Sequence, residues 1–323
     1  MSVDGGASPA ATPFGDRLAA AVAARESQVV LGIDPDTTRL WPEAVGAMAE
    51  SRDRLVMALA DAERSTGLDD GRPGRDIRLR AAAAVLAHCL ALVDAAGPAC
   101  VAVKPQLACF ERLGFAGMLA LEAIVAQARA AGLLVIADGK RGDIASTASA
   151  YAQAYLGDIP TPFGRSPGLR ADALTQNPLL GADALAPFAE AAAAAGAGVF
   201  VLVRTSNPGA ADLFDLELAG GGTLWERLAA MVAEAGTAGP ESGLAEIGAV
   251  TGATRPEHLA RMRELMPHAV FLLPGVGAQG GSVEALAPAF APGRAAGLVS
   301  ASRSIADAHT AAGVRPAPLP SRS

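Results

Sequence analysis

Cysteine, histidine and aromatic residues are all scarce in this chain, and each shortage narrows what it can do. The three cysteines, Cys89, Cys100 and Cys109, form no C-x-x-C pair and leave one over from any disulfide. They read as buried thiols in a reducing compartment, so a cytoplasmic location is expected. The four histidines, His88, His258, His268 and His309, are scattered, with none beside a carboxylate cluster. That argues against a zinc site and against a histidine-activated nucleophile. Aromatic residues make up 4% of the chain, which favours closely packed helices over broad aromatic clusters. There is no run of Lys and Arg, and the formal net charge is −7, so no nucleic-acid surface is expected. The opening residues, MSVDGGASPAATPFGD, lack a basic region followed by an apolar stretch and do not read as a secretory signal. Apolar runs are interrupted short of membrane-spanning length, so no membrane association is expected.

What the chain does have is apolar content, at 51% of 323 residues, enough for a large core. Eight short runs read as strands: 28–34, 99–104, 133–138, 171–176, 198–205, 246–252, 269–275 and 295–302. Most are separated by Ala-rich helical stretches. Their continuous apolar character fits strands covered on both faces. The pattern predicts an α/β fold, a (β/α)₈ barrel formed as one domain over 1–323. An open doubly wound sheet of similar content is the competing architecture. Residues 36–97 read as a helical insertion after the first strand. The Pro/Ser/Gly-rich ends, 1–12 and 314–323, read as frayed tails.

In a barrel, functional groups sit at the C-terminal ends of strands. The first run ends in Asp34 (GIDPD) and the second in Lys104 (VAVKPQ). The third ends in Asp138 and Lys140 (IADGKRGD). If the backbone stays extended through Gly139, Asp138 and Lys140 share a face. Any one of these charges could equally be a turn residue or a surface group. Together they alternate in sign, so that each is neutralised by a neighbour where water is excluded. A purely structural ion network remains the alternative.

Two further stretches stand out. FLLPGVGAQGG is formally a G-x-G-x-x-G match at Gly275, Gly277 and Gly280. A dinucleotide site would need an acidic residue about twenty positions on, but the following run leads into Arg303. That is the charge for a phosphate, which barrels commonly hold after their last two strands. Gly277 would let backbone N–H groups approach, Gln279 would donate a hydrogen bond, and Arg303 would pair bidentately. VLVRTSNPGA and the later AGGG suit a binding loop, in which Ser206 could hydrogen-bond a polar ring edge.

With these residues laid out, the sequence resembles the orotidine 5'-phosphate decarboxylase family. It looks most like the bacterial subfamily with a long insertion after the first strand and the signature DxKRGDI, here Asp138 to Ile144. The resemblance also takes in FGDRL, GIDPD, VKPQ, ALTQNP, VRTSNPG, VTGATRP, PGVGAQGG and SASRSI. It implies that Asp34 contacts the ribose and the charged network, with Lys104 as its neighbour. Asp138 would face the substrate carboxylate, and Lys140 would be the proton donor. Asp143 and Thr147 would reach into a partner's site in a homodimer, Ser206 would read the pyrimidine amide, and Gln279 and Arg303 would hold the phosphate of a nucleotide monophosphate. The family needs no metal and no organic cofactor. Two other readings stay open from the residues: a Mg²⁺-dependent sugar-phosphate aldolase or decarboxylase of the same barrel superfamily, which shares DxKxxD, and a non-catalytic phosphate-ligand barrel.

Overall fold

A computed structural model describes residues 11–50, 75–252, 256–274 and 284–319. Its strands are β1 (Val29–Ile33), β2 (Ala102–Pro105), β3 (Leu134–Arg141), β4 (Asp158–Thr161), β5 (Gly164–Pro167), β6 (Ala173–Gln176), β7 (Gly198–Arg204), β8 (Ile247–Thr251), β9 (Phe271–Pro274) and β10 (Gly297–Ala301). Eight of them form a closed parallel ring in the order β1-β10-β9-β8-β7-β6-β3-β2. Every run expected to be a strand overlaps one, and closure rules out the open sheet. The antiparallel pair β4–β5 lies outside the ring and was not expected. The ring strands are almost wholly buried, as in VVLGI of β1 and GVFVLVR of β7. Parallel strands covered by helices on one face and by each other on the other require this composition.

The helices are α1 (Phe14–Arg25), α2 (Pro42–Glu50), α3 (Arg75–Ala96), α4 (Leu107–Glu111), α5 (Gly114–Ala130), α6 (Ala145–Tyr155), α7 (Ala182–Ala195), α8 (Ala211–Phe214), α9 (Leu224–Ala235), α10 (Pro256–Leu265), α11 (Arg303–Ala306) and α12 (Ala308–Ala311). The chain divides into two compact units, Met1–Glu26 with Lys140–Leu298, and Ser27–Gly139 with Val299–Ser323.

In the first unit, α1 buries Phe14, Leu18 and Val22, spaced four apart on one face. The Phe14 ring meets Phe200 of β7 edge-on, with centroids 6.0 Å apart. Arg17 on the same helix forms an ion pair with Asp172, just before β6. Helix α9 opens with a capping box, in which Thr223 and Glu226 exchange side-chain and backbone bonds. This satisfies two donors that the first turn would otherwise leave unpaired.

In the second unit, β1 pairs with β2 on one side and β10 on the other. Between β1 and β2, the described residues carry α2 and α3; residues 51–74 of the expected insertion lie outside them. Over Ile77–Ala99 the chain is long and apolar enough, by length and composition, to cross a membrane. That differs from the sequence expectation. Here, however, the helix buries Leu79, Val85, Cys89, Leu92 and Val93 within the fold.

His88, also on α3, accepts a hydrogen bond at Nδ1 from Trp41 N (3.3 Å), and the two rings lie 4.4 Å apart. Burial, reinforced by the nearby His309 and opposed by Asp307, pushes its pKa down from 6.5 to about 4. The fold thus favours the neutral ring. The associated stability is complete above pH 6.5 and is lost as the pH falls through about 4. Allowing for partial exposure, the loss is about 2 kcal/mol. His88→Asn keeps an acceptor in place of Nδ1 but cannot titrate. Its urea midpoint should therefore fall less than that of the wild type between pH 7 and pH 4. Equal falls would clear His88 as a source of acid sensitivity.

Candidate active site

Each sequence-predicted residue that the structure describes sits in the C-terminal half of a strand or beyond its end, except Thr147 in the first turn of α6. Asp34 follows β1, Lys104 lies in β2, and Asp138 and Lys140 lie in β3. Asp143 links β3 to α6, Ser206 follows β7, and Arg303 follows β10. Gly277 and Gln279 lie outside the described residues.

The second unit brings two pairs of these residues together. Lys104 Nζ lies 2.6 Å from Asp138 Oδ2, with both residues buried. Taking two ions out of water costs several kcal/mol each, so such a pair persists only with close geometry and added hydrogen bonds. Here Gln106 Nε2 supplies one to the same carboxylate oxygen, at 3.2 Å. Gln106 is itself fixed by its backbone, whose N–H donates to Ile33 O of β1 at 3.0 Å. Asp34 and Arg303 both line a cleft of about 250 Å³, together with Arg39, His88, Ser302 and Asp307. Ser302 can approach because β1 has Gly32 opposite it; a Cβ there would lie 2.6 Å from Ser302 Cβ.

In the first unit, Lys140 is exposed and has φ 46°, in the left-handed region. The backbone departs from the extended conformation at this residue, although β3 continues to Arg141. For a side chain other than glycine the left-handed conformation costs on the order of 1 kcal/mol or more. It is held by a bond from Lys140 N to the buried Thr175 Oγ1 of β6, at 2.9 Å. After it, Gly142 lies against Asn177, where a Cβ would come within 2.6 Å of the Asn177 carbonyl oxygen. Asn177 N in turn donates to Arg141 O at 2.7 Å.

Asp143 is half-buried and accepts from Ile144 N at 2.8 Å. Thr147 is exposed on α6. The apolar stripe of that helix packs within its own unit: Ala148 and Ala152 are buried, and the rings of Tyr151 and Tyr155 lie against the Arg141 guanidinium. Ser206 is half-buried. Beside it, Arg204 grips Asp215 through two bonds, of 2.7 and 2.8 Å.

Gln106 and Thr175 were missed as site residues. Both stand in stretches that carry the family resemblance, VKPQ and ALTQ, but a neutral residue at a strand end gives no charge signal. Among the described residues, no group of three or more His, Cys, Asp or Glu is placed to hold a metal ion.

Residues 27–314 match the sequence profile described as the orotidine 5'-phosphate decarboxylase / HUMPS family. Curated relatives named orotidine 5'-phosphate decarboxylase include one from Rhodopirellula baltica, 40% identical over 92% of this chain and 89% of its own. Another, from Deinococcus radiodurans, is 47% identical over 72% of this chain and 82% of its own. Among solved structures, a Streptomyces avermitilis protein assigned to the same enzyme superposes with a TM-score of 0.67 at 32% identity, covering 94% of this chain and 90% of the other. The Leishmania donovani OMP decarboxylase does so with a TM-score of 0.61 at 29% identity, over 92% and 91%.

Proposed function

Because the chain belongs to the orotidine 5'-phosphate decarboxylase family, we infer that it converts orotidine 5'-monophosphate to uridine 5'-monophosphate, the last step of de novo pyrimidine nucleotide synthesis. The observation that carries the reading is the buried Asp138, held by Lys104 at 2.6 Å two residues before Lys140. A carboxylate fixed in this way repels a substrate carboxylate brought beside it. The C6–CO₂ bond breaks, CO₂ leaves, and the electron pair stays on C6. The Lys140 ammonium favours that developing charge and then gives C6 its proton, to be reprotonated from solvent. Both effects lower the barrier to the extent that they favour the transition state over the bound substrate.

Asp34 takes the ribose and Ser206 the pyrimidine edge. Arg303, with Gln279 and the backbone at Gly277, takes the phosphate. The enzyme is a homodimer in which Asp143 and Thr147 complete the neighbour's site. The unbroken DGKRGDI stretch supports membership of the bacterial DxKRGDI subfamily. The chain acts as one barrel domain with an insertion at 36–97 and tails at 1–12 and 314–323. A cytoplasmic location fits the three free thiols.

The deciding experiment follows the absorbance change of orotidine 5'-monophosphate with and without EDTA. Turnover unaffected by chelation is expected. Turnover lost with EDTA and restored by Mg²⁺ would point to the metal-dependent aldolase or decarboxylase chemistry of the superfamily. Binding of uridine 5'-monophosphate without any turnover would leave a ligand-binding barrel.

A further inference from the structure

Three consecutive residues after β1 each hold one residue near the C-terminal end of the chain. Arg39 pairs with Asp307 at 3.0 Å. Leu40, itself buried, accepts at its carbonyl from Ala317 N at 2.9 Å. Trp41 Nε1 donates to His309 Nδ1 at 3.0 Å, and the two rings meet edge-on with centroids 5.8 Å apart. The segment they hold follows directly from Arg303. Asp307 N donates to Arg303 O at 2.9 Å, so Asp307 stands one turn beyond it.

Helix α11 is four residues long, far too short to hold a fixed orientation alone. Its first residue carries a long, exposed guanidinium into the cleft. Something outside the helix must therefore fix where that guanidinium starts from. The exposed Arg39–Asp307 pair is worth little by itself, since water screens it. The Trp41–His309 bond is directional. An indole N–H only donates, so in this contact His309 Nδ1 accepts; the same nitrogen lies 3.0 Å from the Ala306 carbonyl oxygen, within the segment it anchors.

Resting on the decarboxylase reading above, we propose that Trp41 and His309 are positioning residues for Arg303, and that their bond sets the guanidinium for the substrate phosphate. Neither residue touches the substrate; both act through α11. Losing one directional bond should raise KM for orotidine 5'-monophosphate about 3- to 10-fold, the equivalent of a single hydrogen bond, while leaving kcat within about twofold.

The test is a double-mutant cycle. Trp41→Phe keeps the ring and removes the donor; Arg303→Ala removes the group it is said to position. Trp41→Phe alone should raise KM as stated, and should add nothing on top of Arg303→Ala. His309→Leu should behave like Trp41→Phe, whereas His309→Asn, which keeps an acceptor close to the Nδ1 position, should restore a near-wild-type KM. If Trp41→Phe does not fold, the His309→Leu and His309→Asn pair decides the matter. The inference is overturned if Trp41→Phe raises KM by the same factor with and without Arg303, or if His309→Asn is as impaired as His309→Leu. A wild-type enzyme that does not turn over orotidine 5'-monophosphate would remove the decarboxylase reading, and this inference with it.

Discussion

Lys140→Ala should lower kcat by at least about 10³-fold, because in the proposed reaction it deletes both the charge facing the forming carbanion and the proton that quenches it. In free-energy terms that is about 4 kcal/mol of transition-state stabilisation. The residues proposed for the phosphate are untouched, so affinity for uridine 5'-monophosphate should change far less than turnover. The substitution is also structurally mild. Lys140 is exposed, and its link to β6 runs through its backbone N–H, which alanine retains. A variant with wild-type steady-state turnover would remove Lys140 from the chemistry.

Asp143→Ala should be nearly inactive as well, but curable by a second dead protein. If Asp143 completes the neighbour's site, a dimer of one Asp143→Ala chain and one Lys140→Ala chain places both lesions in one site and leaves the other intact. Random exchange of equal amounts makes half the dimers mixed, each with one working site of two. Activity should then recover to about a quarter of wild type. The measurement is turnover after subunit exchange, with the mixed species confirmed by mass. No recovery would place Asp143 in the service of its own chain.

The ring was legible because a strand covered on both faces must be apolar throughout, and runs such as VVLGI and GVFVLVR can satisfy little else. Boundaries were less clear. The second run was read from residue 99, but Gly97–Ala99 forms a 3₁₀ turn and β2 starts at Ala102. The β4–β5 hairpin was invisible for a different reason. DIPTPFGRSP has three prolines and no alternation, and its pairing is supported by ion pairs from Asp158 to Arg165 and Arg170. The charged site residues announced themselves by sign and position. Gln106 and Thr175 did not, because what each brings is an uncharged hydrogen-bonding group that meets its partner on another strand. The left-handed turn at Lys140 was equally hidden. Nothing local calls for it; the hydroxyl that holds it comes from β6, thirty-five positions away.

Closure of the ring between Val29 and Val299 also bears on how the molecule is made. During synthesis from the N-terminus, β1 cannot gain its β10 neighbour until the 270 positions from Val29 to Val299 have been added (299 − 29). Until then its edge, and that of β9, present unpaired N–H and C=O groups on apolar strands, the kind of surface that invites association between nascent chains. Arg303 and the segment gripped by residues 39–41 follow directly after β10. A ribosome-bound chain thus holds Lys104, Asp138 and Lys140 more than 160 positions before it acquires Arg303, the residue proposed for the substrate phosphate (303 − 140 = 163).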